Sequence, residues 1–199
     1  MRSIKKTFLS ILLFAGCFSF AQTTNAQNWD INTLKKINHP DPNSNIMKGF
    51  SHSVYPVAIV SPVAILATGF IKKDKNLENQ GWELVGALVI NTAITQGLKI
   101  GIHRDRPFET YPGEVYPYRI DKSASFPSGH TSTAFATATT LTLEFKKWYV
   151  AVPAYAWAAG VGYSRIYLGE HYPTDVIGGA VVGAGSAVLS HWLTKKLLR

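Results

Sequence analysis

Residues 54–71 read VYPVAIVSPVAILATGFI, an uncharged run whose aliphatic hydroxyls are confined to Ser61 and Thr68. A run of that length and apolarity suits a bilayer span, which needs about 20 residues. In hydrocarbon a backbone must satisfy its own polar groups, so the run reads as helix. Pro56 and Pro62 are tolerable in a helix of that kind.

Further segments of helical length flank it. Leu84–Ile102 is apolar but carries Asn91, Thr92, Thr95 and Gln96. Thr131–Phe145 is rich in Ala and Thr, and Trp148–Tyr163 in Ala, Val and aromatics. Val176–Leu193 places Gly179 and Gly183 four apart, the small-xxx-small spacing that lets two helix backbones approach. No strand-like alternation competes with these segments, and no internal repeat is visible. The fold class is all-α, a bundle of five to six helices.

At the start of the chain Arg2, Lys5 and Lys6 precede an apolar run, Phe8–Ala21. This is the basic and apolar order of a secretory signal, with small Ser19 and Ala21 placed for a cut before Gln22. Residues 1–21 therefore read as a signal peptide or a first transmembrane segment, and 22–199 as one domain. Either reading exports the rest of the chain. The stretch Gln22–Ser51 is polar and carries no span.

Lysines give the segments a topology. Lys72, Lys73 and Lys75 follow the second segment, Lys146 and Lys147 the fourth, and Lys195, Lys196 and Arg199 the last. If every segment crosses, these groups and the basic start share one side, the positive-inside pattern. A soluble periplasmic bundle with Lys in its turns is the alternative. The chain has 199 residues, with 20 Lys plus Arg against 12 Asp plus Glu, a net charge of +8. Only 16% of residues are charged, against about 25% in an average chain, and the cations form no single stripe. That argues against a nucleic-acid partner. One cysteine, Cys17, excludes an internal disulfide and a paired-thiolate zinc site.

The side opposite the lysines holds three motifs. They are Lys99-x6-Arg106-Pro107, Pro127-Ser128-Gly129-His130 and Ser164-Arg165-x5-His171-x3-Asp175. Each alone is weak, but the order and the shared face are specific. Over Lys99–Asp175 the chain resembles the type-2 phosphatidic acid phosphatase superfamily, which also holds bacterial class A acid phosphatases and vanadium haloperoxidases. No position of the three-part pattern is missing.

The resemblance implies a phosphatase, and the residue types suit one. Lys99 is a point charge, while Arg106 and Arg165 are planar forks matched to phosphate oxygens. Ser128 and the Gly129 N–H stand at a helix start, where anions are favoured. By resemblance, His171 is the nucleophile that becomes a phosphohistidine, and Asp175 accepts its Nδ1–H and fixes the tautomer. His130 is the general acid, then the base that activates water. No metal or other cofactor is implied. Pro173 suits a first helical position, with Asp175 in the first turn.

Arg104 is a headgroup contact or, by preference, structural; His39, His52 and His191 read as structural. The loop carrying Tyr111, Tyr116 and Tyr118 either shapes the substrate entrance or caps the bundle. The expected substrate is a lipid phosphate or diphosphate reached at the periplasmic face of a bacterial inner membrane. A soluble periplasmic acid phosphatase is the alternative, with a vanadium haloperoxidase or a non-catalytic anion-binding membrane protein behind it. Phosphatidic acid, phosphatidylglycerol phosphate, undecaprenyl diphosphate and lipid A all remain open as substrates.

Overall fold

The structure, a computed structural model, describes residues 24–197. The expected signal or first span, 1–21, lies outside the described residues. Seven helices follow one another among those described: α1 Thr24–Ile37, α2 Asn45–Lys72, α3 Lys75–Ile102, α4 Pro107–Thr110, α5 Gly129–Phe145, α6 Trp148–Tyr167 and α7 Pro173–Leu197. Strands are absent among them. Each apolar segment read from Val54 onward lies inside one of the long helices.

The polar stretch 22–51 differs from its expectation, because it holds α1 and the first turns of α2. Polar content hid an amphipathic helix there. Ile31 and Leu34, one turn apart, are buried against Val115, Ile166 and Tyr172. α1 thus lies over the end of the bundle that carries the motifs.

The caps are local chemistry. The Asp74 side chain opens α3 by accepting from the N–H groups of Asn76 at 2.9 Å and Leu77 at 3.2 Å. α2, α3 and α5 each close on a left-handed residue, Lys73, His103 and Lys146. Hydroxyls inside the helices bond back to their own helix: Ser61 to Val57 O, Thr140 to Ala136 O and Ser186 to Val182 O. This is how polar residues sit in apolar helices without orphaned donors.

α5 is central, packing on α2, α3, α6 and α7. Its Ala/Thr composition follows from that position: Ala134, Ala136 and Ala138 are fully buried, and small side chains admit neighbours on every side. α7 crosses it at the predicted small residues. A Cβ on Gly179 would meet Ser128 O at 2.6 Å, and one on Gly183 would run into Ser132 O.

Three helical stretches are long and apolar enough to cross a membrane: Asn45–Lys72, Lys75–Thr110 and Pro173–Lys196. Their outer faces expose aliphatic side chains, including Ile59, Val63 and Ile71 on α2 and Val181 and Val188 on α7. A continuous apolar exterior of this kind suits lipid. The long helices run up and down. The C-terminal ends of α3 and α6 and the N-terminal ends of α5 and α7 therefore share one end of the bundle, and the lysine turns share the other.

Candidate active site

Each motif residue is placed by a helix end. Lys99 occupies the last turn of α3, His130 the first turn of α5, Arg165 the last turn of α6 and Asp175 the first turn of α7. Pro173 does stand at the first position of α7. The Ser128 N–H donates to the main-chain oxygen of Asp175 at 3.0 Å, which joins the starts of α5 and α7.

Asp175 is wholly buried and held on both oxygens. Oδ2 accepts from Ser125 Oγ at 2.5 Å and from the Tyr172 N–H at 2.9 Å, while Oδ1 accepts from Arg104 at 2.7 Å. His171, 2% exposed, turns Nδ1 toward Oδ2 at 3.5 Å. That is longer than a formed N–H···O bond of about 2.7–3.2 Å, so the two are aimed at each other without closing. Burial lowers the His171 pKa from 6.5 to about 3, and the nearby positive charges of Arg106 and Arg165 act in the same direction. Burial thus favours the neutral imidazole.

The cations are buried with it. Lys99 donates to Ala124 O. Arg106 is fully engaged with the loop ahead of α5: Nε bonds Ser123 O, and Nη2 bonds Asp121 Oδ2 and Ser123 Oγ, at 2.8–2.9 Å. Its Nη1 reaches Glu170 O at 3.0 Å. Arg165 donates to Ser51 Oγ and to Glu170 Oε2, while its buried Nε has no partner.

His130 stands at the mouth, its ring edge-on to Tyr55 with centroids 5.0 Å apart. Arg165, His171 and Arg106 are its ionisable neighbours. Ser128 Oγ accepts from Thr131 Oγ1 at 3.0 Å and from no backbone N–H, leaving the first N–H groups of α5 for another acceptor. A Cβ built on Gly129 would meet nothing within 4 Å, so the backbone there is open to approach. A cavity of about 550 Å³ opens at this end, walled by Ser51, His52, Tyr55, Glu170 and residues 118–122, and of the motif residues His130 and Arg165 line it.

All eight residues singled out from the sequence, Lys99, Arg106, Ser128, Gly129, His130, Arg165, His171 and Asp175, lie at this end. Several partners were not legible. Arg104 ties Asp175 to Asp30 of α1, with its guanidinium 3.9 Å from the Tyr172 ring centroid. Asp30 gave no signal, since its partners lie more than seventy residues away. Glu170 falls in the unspecified part of the third motif, yet its carboxylate sits between Arg165 and Arg106 Nη1, the latter 4.0 Å away. Burial raises the Glu170 pKa, and the two guanidiniums oppose the rise. The tyrosine loop divides: Tyr118 lines the cavity, whereas Tyr111 packs on α1 and Tyr116 is clamped by Asn38. That clamp needs Gly169 at φ 68°, where a side chain would strike Tyr116 O.

Known proteins resemble this chain in sequence and fold. The chain is 42% identical over 78 residues to the lipid A 1-phosphatase of Porphyromonas gingivalis, covering 38% of this chain and 17% of that one. It is 33% identical over 121 residues to the undecaprenyl-diphosphatase BcrC of Bacillus subtilis, covering 60% and 58%. The chain thus spans less than two thirds of either relative. The crystal structure of a transmembrane PAP2-type phosphatidylglycerolphosphate phosphatase from Bacillus subtilis superposes with a TM-score of 0.71 at 25% identity, covering 100% of this chain and 99% of that one. The family model of the PAP2 superfamily matches residues 80–199, well over half of the sequence, and the chain belongs to the PAP2 superfamily.

Proposed function

We propose that this protein hydrolyses a lipid phosphate or diphosphate through a phosphohistidine on His171. The observation that carries the reading is a buried, neutral His171 facing a rigidly held Asp175, beside three cations and the open N-terminus of α5.

The substrate phosphate enters the cavity and takes its charge compensation from Lys99, Arg106, Arg165 and the α5 N–H groups, exchanging places with the loop and Glu170 oxygens they now hold. His171 Nε2 attacks phosphorus and the bond to the leaving oxygen breaks. His130, whose pKa of about 3 leaves it neutral until the substrate's negative charge lies beside it and it takes up a proton, delivers that proton to the leaving oxygen. Asp175 holds the Nδ1–H and stabilises the positive charge that develops on the ring. In the second step His130 takes a proton from water as it attacks phosphorus. The P–N bond breaks, and phosphate leaves with His171 neutral again. The equatorial oxygens are held by fixed donors throughout, which is where such sites gain most of their rate.

A lipid substrate is supported by the apolar exteriors of α2, α3 and α7, which end at the level of the site. It is supported too by relatives named for lipid A and undecaprenyl diphosphate. The lysine turns at the far end support a site on the periplasmic side under the positive-inside rule. Phosphate release from a panel of lipid phosphates and soluble monoesters, with protein purified in detergent, tests the reading. Release from the lipids is expected, and release from none of the panel overturns it. In a Cys17→Ser background, cysteine in place of Glu114 should react with an impermeant thiol reagent on spheroplasts, and cysteine in place of Asn76 only after lysis. The reverse pattern inverts the topology.

A further inference from the structure

The lysine-bearing end of the bundle holds a second cluster that the phosphatase reading does not use. Glu83 of α3, Glu144 of α5 and His191 of α7 bring one ligand atom each to within 4.8 Å of one another. His191 Nδ1 lies 2.8 Å from Glu83 Oε1 and 3.0 Å from Glu144 Oε1. The side chains are 0%, 3% and 15% exposed for Glu83, Glu144 and His191. From Lys99, His130 and Asp175 on the same helices they are removed by 14 to 16 residues, roughly 21–24 Å along the axes.

Nδ1 carries at most one hydrogen, so it cannot fully serve two carboxylates that both close on it. The other oxygen of Glu83, Oε2, is buried with no hydrogen-bond partner. One turn earlier on α3, Gln80 Oε1 is likewise buried and unpartnered. Two buried carboxylates beside a single imidazole are costly to keep ionised.

A divalent cation among Glu83, Glu144 and His191 would balance the two carboxylates and give Glu83 Oε2 a partner. Carboxylate and imidazole ligands stand about 2.0–2.2 Å from a zinc-sized ion, so tetrahedral ligand atoms lie roughly 3.4 Å apart. The observed 2.8 and 3.0 Å separations need only a small outward shift of the side chains. Two carboxylates neutralise the double charge, the single imidazole suits a borderline metal, and mixed N/O ligands favour zinc or manganese over calcium.

We propose that Glu83, Glu144 and His191 form a structural binding site for a divalent first-row metal ion, which clamps α3, α5 and α7 together at the end opposite the catalytic groups.

The test uses the full chain, purified in detergent, stripped with EDTA and titrated with Co²⁺ as a visible probe that Zn²⁺ should displace. The wild type should take up one ion per chain and unfold at a higher temperature when loaded. Glu83→Gln and His191→Gln should weaken uptake by at least the 10–100-fold that loss of an outer ligand partner typically costs. X-ray absorption of the zinc-loaded wild type, which does not depend on the variants folding, should show one imidazole nitrogen with oxygen donors. No uptake by the wild type overturns the proposal. So does uptake unchanged in both folded variants, or a sulfur ligand in the absorption spectrum. The readouts are independent of phosphate release, so they stand whether or not the lipid phosphatase reading survives.

Discussion

Arg104 and Asp175 are joined at 2.7 Å, and the same guanidinium bonds Asp30 of α1 at 2.7 Å through its other nitrogen. The carboxylate that faces His171 is therefore held from a helix at the opposite end of the sequence. Asp30 also accepts from the N–H and hydroxyl of Thr174, at 2.9 and 2.5 Å. Asp30→Ala should leave the buried half of this network uncompensated and destabilise the fold by up to roughly 3–5 kcal/mol. Phosphate release should fall with it. A variant with unchanged thermal stability and full activity would show that α1 does not support the site.

His171→Ala should abolish turnover while vanadate still binds, because the cations and the α5 N-terminus remain. Asp175→Asn should lose less than His171→Ala. His130→Ala should cost on the order of 10²–10⁴ in rate, most of all for alkyl phosphates, whose leaving oxygens need the proton. Equal losses for phenyl and alkyl phosphates would remove His130 from the general-acid role.

Activity should survive exhaustive EDTA treatment, since Lys99, Arg106, Arg165 and a helix N-terminus supply the charge at the reacting phosphate. Vanadate should compete with substrate as a mimic of five-coordinate phosphorus. Loss of all phosphate release on chelation, restored by Mg²⁺, would contradict this distribution of charge.

The buried His171 makes stability depend on pH in a defined window. Its folded pKa of about 3 lies below the ordinary 6.5, because burial disfavours the imidazolium. Between these values the unfolded chain binds a proton that the native state refuses. The contribution of His171 to stability is therefore intact above about 6.5 and is lost progressively as pH falls toward 3. Denaturation midpoints measured across that range should fall less steeply for His171→Asn than for the wild type. Parallel slopes would mean that His171 titrates normally in the native protein.

Gly183 and Gly185 share α7 but face different surroundings. A methyl at Gly183 strikes Ser132 O of α5, whereas one at Gly185 meets nothing within 4 Å. Gly183→Ala should destabilise by about 1–3 kcal/mol through overpacking. Gly185→Ala should stabilise by up to about 1 kcal/mol, the ordinary helical preference for alanine. Thermal midpoints of the two variants moving in the same direction would refute the close α5–α7 packing.

The sequence by itself determined the helical class, the order of the long helices, the end at which the motifs gather and the eight residues assembled there. These are short-range properties. Apolar run length, Gly179 and Gly183 one turn apart, and Asp175 one helical turn beyond His171 are written within a single helix or its cap. α1 escaped because its apolar face is only Ile31, Leu34 and their neighbours within a polar stretch. The tertiary structure alone decided what each buried charge meets: Arg104 with both Asp30 and Asp175, Glu170 between two arginines, and Glu83 with Glu144 and His191 at the far end. Such pairings depend on how each helix is rotated and raised against the next. Periodicity shows which face of a helix is apolar, and leaves open which distant side chain will stand opposite a given charge.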